Sequence, residues 1–333
     1  MAKFFGLDIG SQEVKVLQAE KVKQGFKVVH FAKVKTEPSK DMAVIIKAAV
    51  KEAGIRGAEV NIALPESDVY TRIVQTPRLS QTELASAIQY EAEQYVPIAL
   101  EEVNLYHQVL EKSGNAGIEA EGKMNVLLIA VSKERLKKLM TLLDNAGLMP
   151  KSLETELFSL SRVFTDVNKS QMLVSFGHRT TDLISLKNGV PLIIYSFPTG
   201  GMALTKALSS ELSLSMEEAE QYKCTYGLQE NMLEGKIARL LMPLIDELTN
   251  QIKKTYVFIQ QKKQPLPEEL IITGGGALLP GLTGYLTKKL NVGVVVGDPL
   301  MRLVKDEKFK KMIGKESNPE LATVTGLALK GLV

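Results

Sequence analysis

Asp8, Gly10, Ser11, Gln12, Glu13 and Lys15 carry, within eight positions, the residue types that hold a phosphate group. Gly10 lets the backbone approach a bound group, and the amides of Ser11, Gln12 and Glu13 can point into one concavity suited to phosphate oxygens. Asp8 can hold a hydrated magnesium ion, and Lys15 can place an ammonium on the same phosphates. The same residues also suit an ordinary Asp-x-Gly-Ser hairpin turn, so the chemistry needs support from a second site. Two more glycine-bearing turns offer it. Met172 to Phe176 runs as a strand into Gly177, and Leu270 to Thr273 runs as a strand into Gly274-Gly275-Gly276 with a helix behind, the arrangement of a phosphate or nucleotide loop. That last loop lacks both the Walker A lysine and the Rossmann spacing, so neither of those readings holds.

The elements around these turns follow from periodicity. Phe4 to Ala19 reads as strand, turn and strand, and Phe26 to Val34 continues the sheet. Asp41 to Ala53 reads as a helix stopped by Gly54, with Val60 to Leu64 returning as a strand. From Asp68 the pattern changes. Val69 to Gln75 is strand-like, Ser80 and Glu83 form a capping box for a helix through Tyr95, and Val103 to Glu111 with Met124 to Val131 read as a hairpin. Its loop, Ser113 to Lys123, is rich in glycine and charge and is expected to move. Ser132 then caps a helix striped by Leu136, Leu139, Met140 and Leu143. This order describes a compact α+β module inserted into a larger fold.

The opening theme returns at Met172. Gly177 stands 167 positions after Gly10, and a hairpin with an Asn188-Gly189 turn follows it. Such an echo implies duplicated halves facing each other across a cleft. Gly200-Gly201 precedes a helix over Met202 to Leu212, and Ser215 with Glu218 caps another. Lys236 to Lys262 carries a helical stripe in which Pro243 marks a kink or the true start.

Composition bounds the rest. With 333 residues, 45% hydrophobic and 24% charged, the chain has ample material for a core and is not disordered. A net charge of +3 gives no reason to expect a nucleic-acid surface. Lysine clusters at Lys253-Lys254, at Lys262-Lys263 and from Lys305 to Lys315 read as solvated faces, or as attraction to an anionic membrane. Cys224 is the single cysteine, so neither an intrachain disulfide nor a cysteine zinc cluster can form, which suits a reducing compartment. Asp8 falls where a signal peptide needs apolar length, and no apolar run reaches membrane-spanning length, so a soluble chain without an export signal is expected.

The three glycine turns, in this order and at these separations, resemble the actin-like ATPase fold. Gly6 to Ser11 with Lys15 is similar to its first phosphate loop, Ser175-Phe176-Gly177 with Thr181 to its second, and Thr273 to Ala277 to its adenosine loop. Glu220 and Lys223 resemble the helix that contacts ribose and base in the FtsA and MreB branch. Tyr90 to Pro97, with Glu156-Leu157-Phe158 and Arg162, resembles the PilM family of type IV pilus assembly proteins.

That resemblance implies an α/β actin-like fold, two pseudo-duplicated halves around a nucleotide cleft with an inserted α+β subdomain. The first half would span 1–68 and 150–199, the insert 69–149, and the second half, with its adenosine-binding portion, 200–333. It implies ATP or ADP with Mg2+: Asp8 orienting magnesium-bound water, Gly10, Ser11, Gln12, Glu13 and Lys15 around the phosphates, Gly177 closing the far side, and Gly200, Gly201, Glu220, Lys223, Gly274, Gly275 and Gly276 around the nucleoside.

One departure bears on catalysis. Actin-like ATPases carry aspartate where this chain has Ser175, which brings no charge to a metal. Glu156 stands where an acidic residue lies near the attacking water, or is a solvated or N-capping glutamate. His178 reads as able to touch phosphate or as an exposed turn histidine. Nucleotide binding with slow or absent hydrolysis is the expectation.

The implied role is a cytoplasmic adaptor at the inner membrane that binds the N-terminal cytoplasmic tail of a PilN-like protein, in a groove between the first half and the insert. Self-association is compatible with it, whereas nucleic acid and a membrane span are not expected. The alternative is an FtsA-like filament-forming, membrane-associated ATPase, set lower because the chain stops at Val333 just after its last core helix. A sugar or acetate kinase would need a carboxylate beside an acceptor pocket, and none can be assigned.

Overall fold

The computed structural model describes residues 4–110, 123–313 and 318–333, so the loop expected to move lies almost wholly outside the described residues. The chain opens with β1 (Phe4–Ile9), β2 (Glu13–Val22), β3 (Gly25–Lys35), α1 (Met42–Ala53) and β4 (Glu59–Leu64). Next come β5 (Val69–Pro77), α2 (Gln81–Tyr95), β6 (Val103–Val109), β7 (Lys123–Ser132) and α3 (Lys133–Ala146), before β8 (Met149–Thr155) and α4 (Glu156–Phe164). Beyond them lie β9 (Ser170–Phe176), β10 (Thr181–Lys187), β11 (Val190–Phe197), α5 (Gly201–Leu212), α6 (Met216–Tyr226), α7 (Lys236–Gln261), β12 (Glu269–Thr273), α8 (Leu282–Leu290) and β13 (Gly293–Val296). The chain finishes through α9 (Glu307–Ile313) and α10 (Ala322–Leu329).

Two five-stranded sheets share one plan. The first runs β3-β2-β1-β4-β8 and the second β11-β10-β9-β12-β13. In each, three strands pair antiparallel and two more add in parallel. Parallel pairs require a crossover, and α1 and the long excursion through α5 to α7 provide it. The echo between Gly10 and Gly177 is therefore a duplication of strand order.

Strand pairing redraws the division of the chain. Residues 170–197 do not belong to the first half, because β9 pairs with β12 and carries β10 and β11 into the second sheet. The insert ends near Ser132: its sheet is β5-β7-β6, while α3 buries Leu143 and Ala146 in the first-half core with Phe5, Leu7 and Ile46. The final residues also return to the first half, where Val324, Ala328 and Leu329 of α10 pack with Leu17, Ala19 and Val28. A side chain at Gly326 would collide with the Ser159 backbone, so glycine lets α10 lie close against α4. These exchanges have one cause: apolar faces on distant segments find the same sheet, and local periodicity does not reveal which sheet that is.

Local rules place the helices. Both expected capping boxes form, Ser80 with Glu83 on α2 and Ser215 with Glu218 on α6. Pro243 lies inside α7, which runs unbroken past it, and Ile245, Leu248, Ile252 and Ile259 bury one face of that helix against Leu270 and Ile272 of β12.

Candidate functional site

The first turn joins β1 to β2. The Gly10 amide donates to the Glu13 carbonyl at 3.0 Å, and the ladder sets Asp8 opposite Lys15. Both side chains are buried, with Lys15 Nζ 3.5 Å from Asp8 Oδ2 and 3.9 Å from Glu13 Oε2. Burial raises the Asp8 pKa above the usual aspartate value, and the neighbouring ammonium of Lys15 opposes that rise. Ser11 is exposed, and its carbonyl accepts from Thr36 Oγ1 at 2.9 Å.

The second turn, between β9 and β10, has the same plan with different side chains. The Gly177 amide donates to the Thr180 carbonyl, and the first amides of α5 seal the turn, Gly201 donating to the Gly177 carbonyl at 2.9 Å and Met202 to that of His178 at 2.8 Å. Gly200 is required here, since a Cβ would stand 2.7 Å from the backbone of His178. The two turns touch: Gln12 Nε2 donates to His178 Nε2 across 2.8 Å. His178 is thus engaged and partly buried, and burial, with the charge of Lys223, holds its pKa below the ordinary histidine value.

Four carboxylates gather behind these turns. Glu156 is the first residue of α4, and Asp8 is the penultimate residue of β1. The other two escaped the sequence reading. Asp182, 2% exposed on β10, lies directly across the ladder from Ser175 and accepts from the hydroxyls of Ser196 and Thr180. Glu66, 5% exposed, accepts from the Leu157 amide at 3.3 Å and from Thr71 Oγ1 at 3.5 Å. All four are pushed above their ordinary pKa values, chiefly by burial. Glu66 rises to about 7, and Glu156 is raised well above its ordinary value by burial first and then by the like charges of Asp8, Asp182 and Glu66, with Lys15 pulling the other way. The signal for Asp182 was present in the numbering: it follows Ser175 by the same seven positions that separate Lys15 from Asp8.

Toward α6 the groups are tied to one another. Buried Lys223 places Nζ 2.6 Å from Glu220 Oε2, 3.1 Å from Thr205 Oγ1 and 3.3 Å from the Gly201 carbonyl. The triple glycine packs on the second turn: a Cβ at Gly274 would lie 2.7 Å from the Phe176 carbonyl, and one at Gly276 would enter the Phe176 ring. Gly275 faces Glu320, and the Gly274 amide donates to the Pro319 carbonyl at 3.2 Å. Arg162 serves packing, forking onto both oxygens of Glu154 and reaching the Gly326 carbonyl on α10.

The structure thus brings the residues singled out on three separate turns, with Glu156, Glu220 and Lys223, around the β9–β10 turn. Buried oxygen donors in excess of cations suit a hard divalent ion. Among the described residues no three acidic, histidine or cysteine side chains converge to ligate one directly.

Two sheets of identical strand order around such a junction define an actin-like ATPase fold. MreB 5 of Spiroplasma citri bound to AMPPNP shares that fold at a TM-score of 0.52 and 13% identity, over 97% of this chain and 94% of that one. Cell division protein FtsA of Streptococcus pneumoniae serotype 2 is 22% identical over 99% of this chain and 83% of that protein. A chain of the PilM-PilN type IV pilus biogenesis complex superposes at a TM-score of 0.84 with 25% identity, covering 100% of this chain and 99% of that one. The family model for type IV pilus assembly protein PilM matches residues 6–332, and the chain belongs to that family.

Proposed function

We propose that the chain binds ATP or ADP with magnesium between its halves and serves type IV pilus assembly as an adaptor. One observation carries this reading: the Asp8–Lys15 turn, the Gln12–His178 contact and Glu156 meet at one junction of an actin-like fold. Lys15 and the amides of Ser11 and Gln12 hold the β and γ phosphates, the Gly177 turn closes the far side, and Gly200, Gly201, Glu220, Lys223 and Gly274 to Gly276 line the nucleoside. Magnesium, when bound, offsets phosphate charge, and Asp8 and Asp182 orient the waters around it. Asp182 takes over from the aspartate absent at position 175.

Hydrolysis is slow or absent in this reading. Glu156 is the residue placed to act as a base toward water, and burial, with the like charges of Asp8, Asp182 and Glu66, raises its pKa and so works against the ionised form a base needs. Glu220 and Lys223 satisfy each other, so the nucleoside meets a rigid neutral pair. Denaturing purified protein and identifying the released nucleotide tests the site. ATP supports a stable adaptor, ADP indicates a working hydrolase, and no nucleotide even after incubation with Mg-ATP rejects the reading.

The partner is the cytoplasmic N-terminal tail of a PilN-like inner-membrane protein, lying beside the inserted subdomain. Near full-length likeness to a chain of the PilM-PilN complex supports it. Among the described residues no helix is long and apolar enough to cross a membrane, so a peripheral position at the cytoplasmic face follows from the partner. A pull-down with the tail peptide is the test, and absence of capture with and without nucleotide rejects the adaptor role.

A further inference from the structure

The outward face of α7 sets apolar side chains among lysines. Residues 250–264 hold Lys253, Lys254, Lys262 and Lys263 and no acidic residue. Among these lysines two apolar side chains stand in solvent, Val257 at 51% and Phe258 at 46% exposure, and Leu266 just beyond is 44% exposed. Asn250, Lys253, Lys254, Val257, Phe258 and Gln261 line a shallow open hollow along the helix. Lys262 Nζ lies 5.6 Å from the Phe258 ring centroid. The opposite face is fixed, since Ile252 and Ile259 are buried against the second sheet. The exposed face is therefore a rigid platform.

A solvated helix face explains the lysines but not the aromatic and branched side chains set among them. A protein interface explains those, yet such interfaces are depleted of lysine at their centres and favour arginine and tyrosine. Flexible lysines surrounding a few apolar side chains match a bilayer interface: ammonium groups meet anionic headgroups while the apolar groups enter the headgroup boundary. We infer that the α7 face formed by Lys253, Lys254, Val257, Phe258 and Lys262 docks on an anionic lipid surface. Along this stretch the charge is all positive; the nearest acids on the helix lie upstream, where Asp246 pairs with Lys289 at 3.3 Å and also faces the charge of Lys253, and Glu247 is exposed. The inference does not depend on the nucleotide or on the peptide partner.

Co-sedimentation of the full chain with vesicles tests it. The protein is expected to pellet with vesicles containing equal parts phosphatidylglycerol and phosphatidylcholine and to stay in solution with pure phosphatidylcholine. K253E/K254E is expected to lower binding about tenfold or more, given that each lysine near an anionic surface contributes a several-fold gain. F258S is expected to weaken binding at constant charge. If K253E/K254E fails to fold, K262E/K263E at the helix end supplies the same readout. Failure of the wild type to pellet with anionic vesicles overturns the inference, as does retention by the charge-reversed variants. Binding that ignores F258S and V257S, and is matched by soluble polyglutamate, identifies a polyelectrolyte or acidic-protein surface and overturns it as well.

Discussion

The two turns that face each other are built on one template and charged in opposite ways. Position for position, Asp8 and Lys15 of the first correspond to Ser175 and Asp182 of the second, each pair directly opposed on its ladder. The first turn offsets its buried carboxylate with an ammonium 3.5 Å away. The second has no cation across its ladder and holds Asp182 with hydroxyl donors instead. Strand order can thus stay fixed while charge moves across a ladder.

Removing Lys15 should have the largest effect, because it leaves buried carboxylates without their cation. Lys15→Met is expected to cost about 3–5 kcal/mol of folding stability and to abolish nucleotide retention. Asp182→Asn, by contrast, removes a buried charge held only by hydroxyls and is expected to leave stability unchanged or raised. Urea unfolding with measurement of released nucleotide separates the two, and equal losses would break the contrast.

Stability against pH tests the shortage of cations. A carboxyl whose folded pKa is raised contributes stability that is complete below its unfolded value and lost as pH rises through the folded one. Glu66 moves from 4.5 to about 7, so about 3 kcal/mol should disappear between pH 4.5 and pH 7 in ligand-free protein. Thermal melts across that range should show the decline, and Glu66→Gln should make it shallower by that share, the raised carboxyls of Asp8, Glu156 and Asp182 supplying the rest. A rise in stability over the same window would contradict the charge assignment.

The next effect concerns shape. Phe176 occupies the place that Ile9 holds in the first turn, and its ring fills the space above Gly276. Gly276→Ala is expected to cost about 1–3 kcal/mol by overpacking, seen in chemical denaturation. Smallest should be Ser196→Ala, which removes one donor to Asp182. A loss of about 1 kcal/mol and a further rise in the Asp182 pKa, followed by NMR titration, would confirm that hydroxyls do on the second turn what Lys15 does on the first.

Much of this frame could be read from the chain itself. Capping serines, terminal glycines and the Asn188-Gly189 turn act within a few residues, so α1, α2, α3, α6 and the β10–β11 hairpin followed from local rules. The first turn was legible because all its groups lie within eight positions. Asp182 and Glu66 were not, since each acquires its meaning from a segment far away: Asp182 from the ladder beside Ser175, Glu66 from the Leu157 amide. The misplaced boundaries have the same origin. Nothing local tells β9 to pair with β12, or α10 to pack beneath β1.

The position of α10 bears on synthesis. Strand β1 is translated long before α10, yet part of the apolar cover it and β2 require arrives with Val324 to Leu329. The nascent amino-terminal sheet must therefore wait, incompletely buried, through the translation of some three hundred further codons, a window in which chaperones and proteases can act on it. Folding of the whole becomes a quality check on the message, because a prematurely terminated product lacks the helix that seals its own beginning.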